Sequence, residues 1–211
     1  MKDDARLDFR KISPDDYNEV ADTMACAFMD DPLLNLVAPR DRDRMEILRI
    51  MEREMLRYAG PQGHCHAAFE ESGRAVGAVV VTVPGRYPPS RWREFKIAMR
   101  VLLHPRPWIP PLRDLRKIVP YTKAMDEHHI EEPHWFIWGL GVRRSHHGCG
   151  IGGRLLRIVL EHADHERSPV YLDTQTKSNV GLYERFGFSV DSIVHPSKEG
   201  PPSWGMVRRA D

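Results

Sequence analysis

The first third of the chain shows one strand-like pattern followed by two helix-like patterns. Leu7 to Ile12 alternates apolar and polar residues, and the Ser13-Pro14 pair is typical of a helix start. We expect this first helix to run to about Phe28, before Asp30-Asp31-Pro32 breaks it, and a second helix to begin near Asp41. The apolar positions of the second helix follow the three-to-four-residue spacing of one helical face: Ile47, Met51, Met55 and Tyr58.

The middle of the chain combines a predicted hairpin with a segment of different composition. His64 to Phe69 and Ala75 to Val83 are rich in strand-forming residues and are joined by a short turn, which predicts two antiparallel strands. From Pro84 to Pro133 prolines are frequent, and they flank a predicted helix from Arg91 to Leu103 and a second helical stretch interrupted at Pro120. We interpret this segment as a helical cap inserted into a single domain that spans residues 1–211.

The last third alternates predicted strands and helices. Trp135 to Val142 is an almost wholly apolar run of strand length, which indicates a central strand with the chemistry at its end. The elements predicted after it are a helix from Ile151 to about Arg167, a strand from Val170 to Thr174, a helix from Ser178 to Phe186, a strand from Phe188 to Val194 and a strand from Ser203 to Val207.

Composition and charge limit the class of protein. The 211 residues are 41% hydrophobic and 29% charged, with a formal net charge of +1, so no whole-molecule field favours nucleic acid or an acidic membrane. The three cysteines are odd in number and widely spaced, which does not suggest a disulfide framework. The N-terminus lacks the apolar core of a signal peptide, and no apolar run is long enough to span a bilayer. We expect a cytoplasmic protein without nucleic-acid or membrane partners.

A glycine-rich turn lies between the apolar strand and the helix that begins at Ile151. The segment from His147 to Gly153 reads HGCGIGG, so several backbone N–H groups can point at one anion with the helix dipole behind them. One alternative is a tight turn without a ligand. Another is a dinucleotide site, because the glycines satisfy G-x-G-x-x-G and Asp173 follows about 20 residues later. The polar linker Arg143 to His147 disfavours that site, because a dinucleotide site places its first glycine directly after the strand.

Two motifs resemble the signatures of the GNAT acetyltransferase superfamily. HGCGIG, from His147 to Gly152, is similar to that family's [Q/R]-x-x-G-x-[G/A] loop, with histidine in place of the usual glutamine or arginine. The stretch NVGLYERFGF, from Asn179 to Phe188, is similar to its second signature, N-x-x-[L/F]-Y-E-x-x-G-F. The likeness is closest to the puromycin N-acetyltransferase branch, which shares similar residues at Glu132 to Phe136 and at Glu199 to Met206.

The resemblance implies an α+β fold, with a mixed, mostly antiparallel sheet of about seven strands flanked by helices. It also implies acetyl-CoA as co-substrate and direct transfer of the acetyl group to an amine, with Tyr183 as general acid and Asp173 as a candidate base, acting directly or through water. The residues expected to bind acetyl-CoA are Leu140, Gly141, Val142, His147, Gly148, Cys149, Gly150, Ile151, Gly152, Gly153, Asn179 and Tyr183.

The acceptor is expected to be the amine of a small molecule. Phe28, Asp31 and Trp138 are the candidates for its pocket, and each can equally be a packing or capping residue. Two other functions stay open at this point, a non-catalytic acyl-CoA binding or sensing module and an NAD-dependent oxidoreductase. Histidines at His64 and His66 share a strand face, but no C-x-x-C or H-E-x-x-H motif accompanies them, and we predict no metal site.

Overall fold

The computed structural model describes residues 7–89 and 116–210, together with positions 92, 95 and 99. Most of the predicted cap helix from Arg91 to Leu103 therefore lies outside the described residues.

The described strands form one seven-stranded sheet in the order β1-β2-β3-β4-β5-β7-β6. All neighbouring strands are antiparallel except β4 and β5, which are parallel. The strand pairing confirms the predicted mixed, mostly antiparallel sheet. Such a sheet differs from the doubly wound parallel sheet of a dinucleotide-binding fold. The strands are β1 (Asp8–Lys11), β2 (His66–Phe69), β3 (Ala75–Thr82), β4 (Trp135–Val142), β5 (Val170–Thr174), β6 (Ser189–Val194) and β7 (Ser203–Arg208).

Six α-helices accompany the sheet in the described part of the chain. They are α1 (Tyr17–Ala27), α2 (Pro32–Val37), α3 (Asp41–Ala59), α4 (Val119–Glu127), α5 (Ile151–His165) and α6 (Lys177–Glu184). Four of them, α1, α3, α5 and α6, lie close to where a helix was predicted. Short 3₁₀ turns lie at Pro14–Asp16, Gly60–Gln62, Arg116–Ile118 and Arg144–His146.

Two prolines that were expected to break helices instead stand in the first turn of one. Pro32 begins α2, which the sequence did not predict, and the Asp31 carboxylate accepts hydrogen bonds from the N–H groups of Leu33 and Leu34. Pro120 likewise lies in the first turn of α4 rather than interrupting a helix. A proline in the first turn has no hydrogen bond to lose, so it is compatible with a helix start.

Helices cover both faces of the sheet. On one face α5 buries Leu155 and Leu156 against a cluster that includes Leu172 of β5 and Met206 of β7. On the other face α1 packs against β3 and β4, with α3 behind it. The core side of α3 is slightly rotated from the predicted one: Leu48, Leu56 and Ala59 are fully buried, whereas Met51, Met55 and Tyr58 are only partly buried.

The two parallel strands β4 and β5 separate after a short junction. They pair only over Trp135–Ile137 and Val170–Leu172, so the rest of β4, from Trp138 to Val142, has no strand partner on that edge. On its other edge β4 pairs with β3, and a register irregularity leaves Trp138 as the extra residue between Ile137 and Gly139. Such bulges re-aim side chains and end pairing, and they are frequent next to active sites.

Candidate active site

The glycine-rich turn leads directly into α5 and exposes main-chain N–H groups. Gly148 and Gly150 have φ of 79° and 75°, a left-handed conformation that favours glycine, and Gly150 is the residue that caps α5. The N–H groups of Ile151, Gly152 and Gly153 belong to the first helical turn, where the helix offers no acceptor for them. That first turn contains no acidic residue. These residues fit a pyrophosphate group, which is an anion that several N–H groups can bind together.

His147 is exposed, and its ring is hydrogen-bonded to the main chain of the preceding strand. Its Nε2 lies 2.9 Å from the carbonyl oxygen of Val142, so the Nε2–H group donates to that oxygen. The hydrogen bond therefore connects the turn to the end of β4, and the Nε2–H group of His147 is not available to an anion. His147 stands where the resembled family has a longer glutamine or arginine, and here its visible contact is within the protein.

The unpaired edge of β4 from Trp138 to Val142 leads from the sheet junction to the glycine-rich turn. Leu140 and Val142 turn their side chains to the face covered by α5. Glycine at positions 139 and 141 of this strand makes room for helix α1. A Cβ atom at Gly139 would lie 2.9 Å from Cε of Met24, and one at Gly141 would lie 2.9 Å from Cβ of Ala27. The two glycines thus let α1 pack tightly on β4.

Tyr183 is buried in α6, on the α5 side of the sheet. Its ring packs edge-on against Phe188, with ring centroids 5.7 Å apart, and only 7% of the residue is exposed. Burial raises the pKa of its phenol to about 12. The group therefore keeps its proton throughout the physiological range, as a general acid must. The pKa gap to a thiol, near 8.5, is nevertheless wider than we expected from an unperturbed tyrosine.

Asn179 lies one helical turn before Tyr183 on α6. Its side-chain Nδ2 is 3.4 Å from Oγ1 of Thr174, the last residue of β5. This contact ties the start of α6 to the end of β5 and leaves the amide oxygen without a contact to any other described side chain.

Asp173 lies on β5 just beyond its last pair with β4, on the α1 face of the sheet. Its Oδ2 atom is buried and has no hydrogen-bond partner among the described residues. Its Oδ1 atom is 3.5 Å from the hydroxyl of Tyr171, two residues earlier on the same face. Burial raises the pKa of this carboxyl to about 7, and the Tyr171 contact opposes the shift only in part. A carboxyl with a pKa near neutrality suits a general base.

The three candidate acceptor residues differ in how they are used. Phe28 packs over Gly139 and belongs, with Trp138, to the cluster between α1 and the sheet. Trp138 has a buried Nε1–H group without a partner among the described residues. Asp31 has one carboxylate oxygen engaged in capping α2, and burial raises the pKa of its carboxyl above the usual range. Phe28 and Trp138 thus lie on the same face of the sheet, whereas Asp31 caps helix α2.

Several aromatic residues beside Trp138 were not predicted as site residues. Tyr87, Phe136 and Tyr171 surround Trp138 and Asp173 on the α1 face, together with His129 and His134. The sequence pattern predicts that Phe136 and Tyr171 are buried strand residues, but it does not indicate that they line a site. Tyr87 lies in a proline-rich stretch, and nothing local indicates that it folds back onto β4.

The described residues contain no group of three or more histidine, cysteine or acidic side chains arranged to hold a metal ion. No helix within them is long and apolar enough to cross a membrane.

Comparisons with known proteins agree on one family. The model of the Acetyltransferase (GNAT) family matches residues 27–188. An uncharacterized N-acetyltransferase of Schizosaccharomyces pombe is 21% identical over 200 residues, which are 90% of this chain and 77% of that protein.

Two solved structures show the same fold at low sequence identity. One is the histone acetyltransferase HPA2 and related acetyltransferase from Corynebacterium glutamicum, with a TM-score of 0.70, 18% identity and 97% of both chains covered. The other is arylalkylamine N-acetyltransferase 2 from Aedes aegypti, with a TM-score of 0.66 and 14% identity, covering 98% of this chain and all of that one. Their names refer to different acceptors, a histone and an arylalkylamine.

Proposed function

Because the chain belongs to the acetyltransferase (GNAT) family and is an acetyltransferase with the GNAT fold, we propose that it acetylates the amine of a small molecule. The acetyl group comes from acetyl-CoA and passes directly to the amine while both substrates are bound. The observation that carries this proposal is the unpaired edge of β4, which runs from the glycine-rich turn to the buried carboxyl of Asp173.

The glycine-rich turn supports the binding of the co-substrate. The main-chain N–H groups at the start of α5 can hold a pyrophosphate, and the free edge from Trp138 to Val142 can pair with an extended amide-containing chain as another strand would. Acetyl-CoA has both parts and supplies an acetyl thioester. The residues we assign to it are Leu140, Gly141, Val142, His147, Gly148, Cys149, Gly150, Ile151, Gly152, Gly153, Asn179 and Tyr183.

The transfer needs a proton removed on one side and a proton supplied on the other. An ammonium ion R–NH₃⁺ loses one proton to become a nucleophile, and the amine nitrogen then bonds to the thioester carbonyl carbon. The C–S bond breaks and the nitrogen loses a second proton, which balances the proton that the sulfur takes up. The products are the N-acetyl amine and, after protonation of the sulfur, the free thiol. We assign the first proton transfer to Asp173, whose pKa of about 7 lets it accept a proton near neutrality, and the protonation of the sulfur to the phenol of Tyr183.

The positions of the three cysteines favour direct transfer over a covalent acyl-enzyme. Cys65 is buried under β3, and burial raises the pKa of its thiol to about 11, which disfavours the reactive thiolate. Cys26 lies in α1 with its sulfur 3.5 Å from Arg143. Cys149 is exposed in the glycine-rich turn, away from Asp173 along the whole free edge of β4.

The motifs shared with the puromycin N-acetyltransferase branch support a place near that branch, and a role in antibiotic or amine detoxification in the cytoplasm would follow from it. Those motifs lie at the start of β4, in α6 and its following turn, and at the carboxyl end of the chain. They do not identify the acceptor by themselves, because Tyr87, Trp138 and Tyr171, which lie beside Asp173, come from other segments.

A non-catalytic acyl-CoA binding module is the second candidate function. The buried and partnerless Oδ2 atom of Asp173 favours an enzyme over this module, because a binding module gains nothing from a desolvated carboxyl beside its ligand. The NAD-dependent oxidoreductase is disfavoured by the sheet, which contains one short parallel pair instead of repeated parallel βα units.

The test is the release of free thiol from acetyl-CoA with a library of amines, comparing the natural protein with Tyr183→Phe. We expect amine-dependent thiol release, and a loss of about 10²-fold or more in kcat for the variant, because the ring keeps its packing but has no proton to give. Calorimetry should give the same Kd for CoA in both proteins. Thiol release that no amine stimulates, with CoA still bound, would leave only the binding module.

A further inference from the structure

Nδ1 of His129, whose ring stacks on Tyr87, is buried and has no partner among the described residues, and two more such atoms lie on the α1 face of the sheet where β4 and β5 separate. One is the donor Nε1–H of Trp138, and the other is the acceptor Oδ2 of Asp173. Leaving a buried donor or acceptor unpaired costs roughly 1–3 kcal/mol, so native proteins keep few of them. A donor and an acceptor left open on the same face are both satisfied if a ligand with an oxygen and an ammonium group binds between them.

Aromatic rings form a continuous wall beside these two atoms. The ring centroid of Tyr87 is 4.3 Å from that of Phe136 and 5.3 Å from that of Trp138, and the Phe136 and Trp138 rings meet edge to face at 4.8 Å. Phe136 and Tyr171 are almost fully buried, whereas Tyr87 and Trp138 are half-buried. We call Tyr87, Phe136, Trp138 and Tyr171 the aromatic box, with Tyr87 as its outer wall.

The charged and titratable groups around the aromatic box favour a cation. Asp173 lies on its floor, and the Tyr87 hydroxyl is 3.5 Å from Oδ1 of Asp126. His129 stacks on Tyr87 at 4.0 Å, and burial lowers the pKa of His129 to about 3. His134 is also neutral, since burial lowers its pKa below the usual range, and its Nδ1–H donates to the carbonyl of Glu132. Within the described chain, the arginines that lie over aromatic rings do so at Phe9, Phe69 and Phe186, outside the box.

We propose that the aromatic box selects an aromatic monoamine that carries an oxygen substituent, which rests on the acetyltransferase function proposed above. The ring of the acceptor stacks on Tyr87, its amine reaches the Asp173 carboxylate, and its oxygen accepts from Trp138 Nε1–H. The same walls disfavour a polyamine, because Asp173 is the one carboxylate on the floor of the box among the described residues and each further ammonium group would lose water without an acidic partner there.

The experiment measures binding and turnover of three amines: tyramine, which is aromatic and carries an oxygen; isoamylamine, which is apolar but not aromatic; and spermidine. Binding is measured by calorimetry on the full chain saturated with CoA, where no transfer occurs. Tyr87→Leu removes the outer ring, and Tyr87→Phe is the matched control that keeps the ring without the hydroxyl. We expect tyramine to have the highest kcat/KM of the three and its Kd to rise about tenfold in Tyr87→Leu. We expect less than a threefold change in Tyr87→Phe, and for isoamylamine in either variant.

The outcomes separate this inference from the function on which it rests. If spermidine is bound and acetylated better than tyramine, or if Tyr87→Leu weakens isoamylamine as much as tyramine, the aromatic box does not select the acceptor, although the acetyltransferase function stands. If none of the three amines is acetylated but a peptide amine is, the small-molecule acceptor is wrong and the inference falls with it. If Tyr87→Leu loses its folded circular-dichroism spectrum, Trp138→Phe replaces it, with the tenfold loss for tyramine again expected and an unchanged Kd overturning the proposal.

Discussion

The glycine-rich turn and the aromatic box lie at opposite ends of the free edge of β4, and they are built in different ways. The turn from His147 to Gly150 is exposed and offers main-chain N–H groups. The aromatic box offers buried side chains that come from β4, β5 and the segment around Tyr87. A site made of main chain binds a group that every member of a family uses, whereas a site made of side chains can change its ligand by substitution. The three variants below probe that difference.

Asp173→Asn should have the largest effect and should act only on the acceptor side. We expect kcat/KM to fall about 10²-fold while the Kd for CoA stays unchanged, since the base is lost but the glycine-rich turn is intact. In the natural protein kcat/KM should rise with pH through about 7, where the Asp173 carboxyl loses its proton, and then level off. Asp191→Asn, at an exposed carboxylate on β6, is the control and should keep this profile. If kcat/KM of Asp173→Asn still rises with pH around 7, a different residue acts as the base.

The same carboxyl should also be visible in the stability of the protein. Its pKa is about 7 in the folded chain and about 4 in an unfolded one, so between these values the native state binds more protons. The contribution of Asp173 to the free energy of unfolding therefore falls as the pH rises from about 4 to about 7. Denaturant titrations across this range should show a weaker fall in Asp173→Asn, and an unchanged pH dependence would contradict the burial of the carboxyl.

Gly150→Val should act only on the co-substrate side. Valine is strained at a φ of 75°, and the turn has to change its path, so the N–H groups at the start of α5 no longer converge. We expect the Kd for CoA to rise about tenfold to a hundredfold in calorimetry, which corresponds to losing one or two charge-assisted hydrogen bonds.

Gly73→Val is the matched control for that variant. Gly73 has a φ of 80° in the turn between β2 and β3, and a Cβ there meets nothing within 4 Å, as at Gly150. Both variants should lose similar stability, but only Gly150→Val should lose CoA. Equal losses of CoA affinity would show that strain in the fold, and not the turn itself, is responsible.

His147→Ala should have the smallest effect. The ring donates one exposed hydrogen bond to the carbonyl of Val142, and such a bond contributes about 0.5–1.5 kcal/mol. We expect a two- to fivefold rise in the Kd for CoA and an unchanged kcat. Cys149→Ser is a neighbouring control that should leave both unchanged, because it keeps the main-chain N–H group through which residue 149 is assigned to the co-substrate. A loss larger than that of Gly150→Val would mean that the side chain, and not the main chain, holds the anion.

The features that were predictable from the sequence are those with a local signal. β4 was placed at its observed bounds because its apolar run ends at the charged Arg143, and the glycine-rich turn was found because its glycines are adjacent in the chain. Helix α2 was missed because Pro32 was taken as a helix breaker, although Asp31 before it is a good capping residue.

The aromatic box had no such local signal. Tyr171 alternates with core residues along β5, so periodicity predicts only burial, and Tyr87 reaches the sheet through tertiary packing. The sequence also gives no local sign of why glycine stands at 139 and 141, because the neighbour that needs the space is α1, more than a hundred residues earlier. The roles of Asn179 and Tyr183 came from the family motif, and they remain predictions.

The three-residue junction between β4 and β5 divides the sheet into a block of four strands and a block of three. Main-chain pairing between the blocks is confined to that junction, and α5 is one of the elements that join them, since its Leu155 and Leu156 share one cluster with residues of both blocks. The amino end of that same helix carries the anion-binding turn. Binding of the co-substrate therefore stabilises a helix that contacts both blocks. We expect the two halves of the molecule to unfold as a single cooperative unit when the co-substrate is bound.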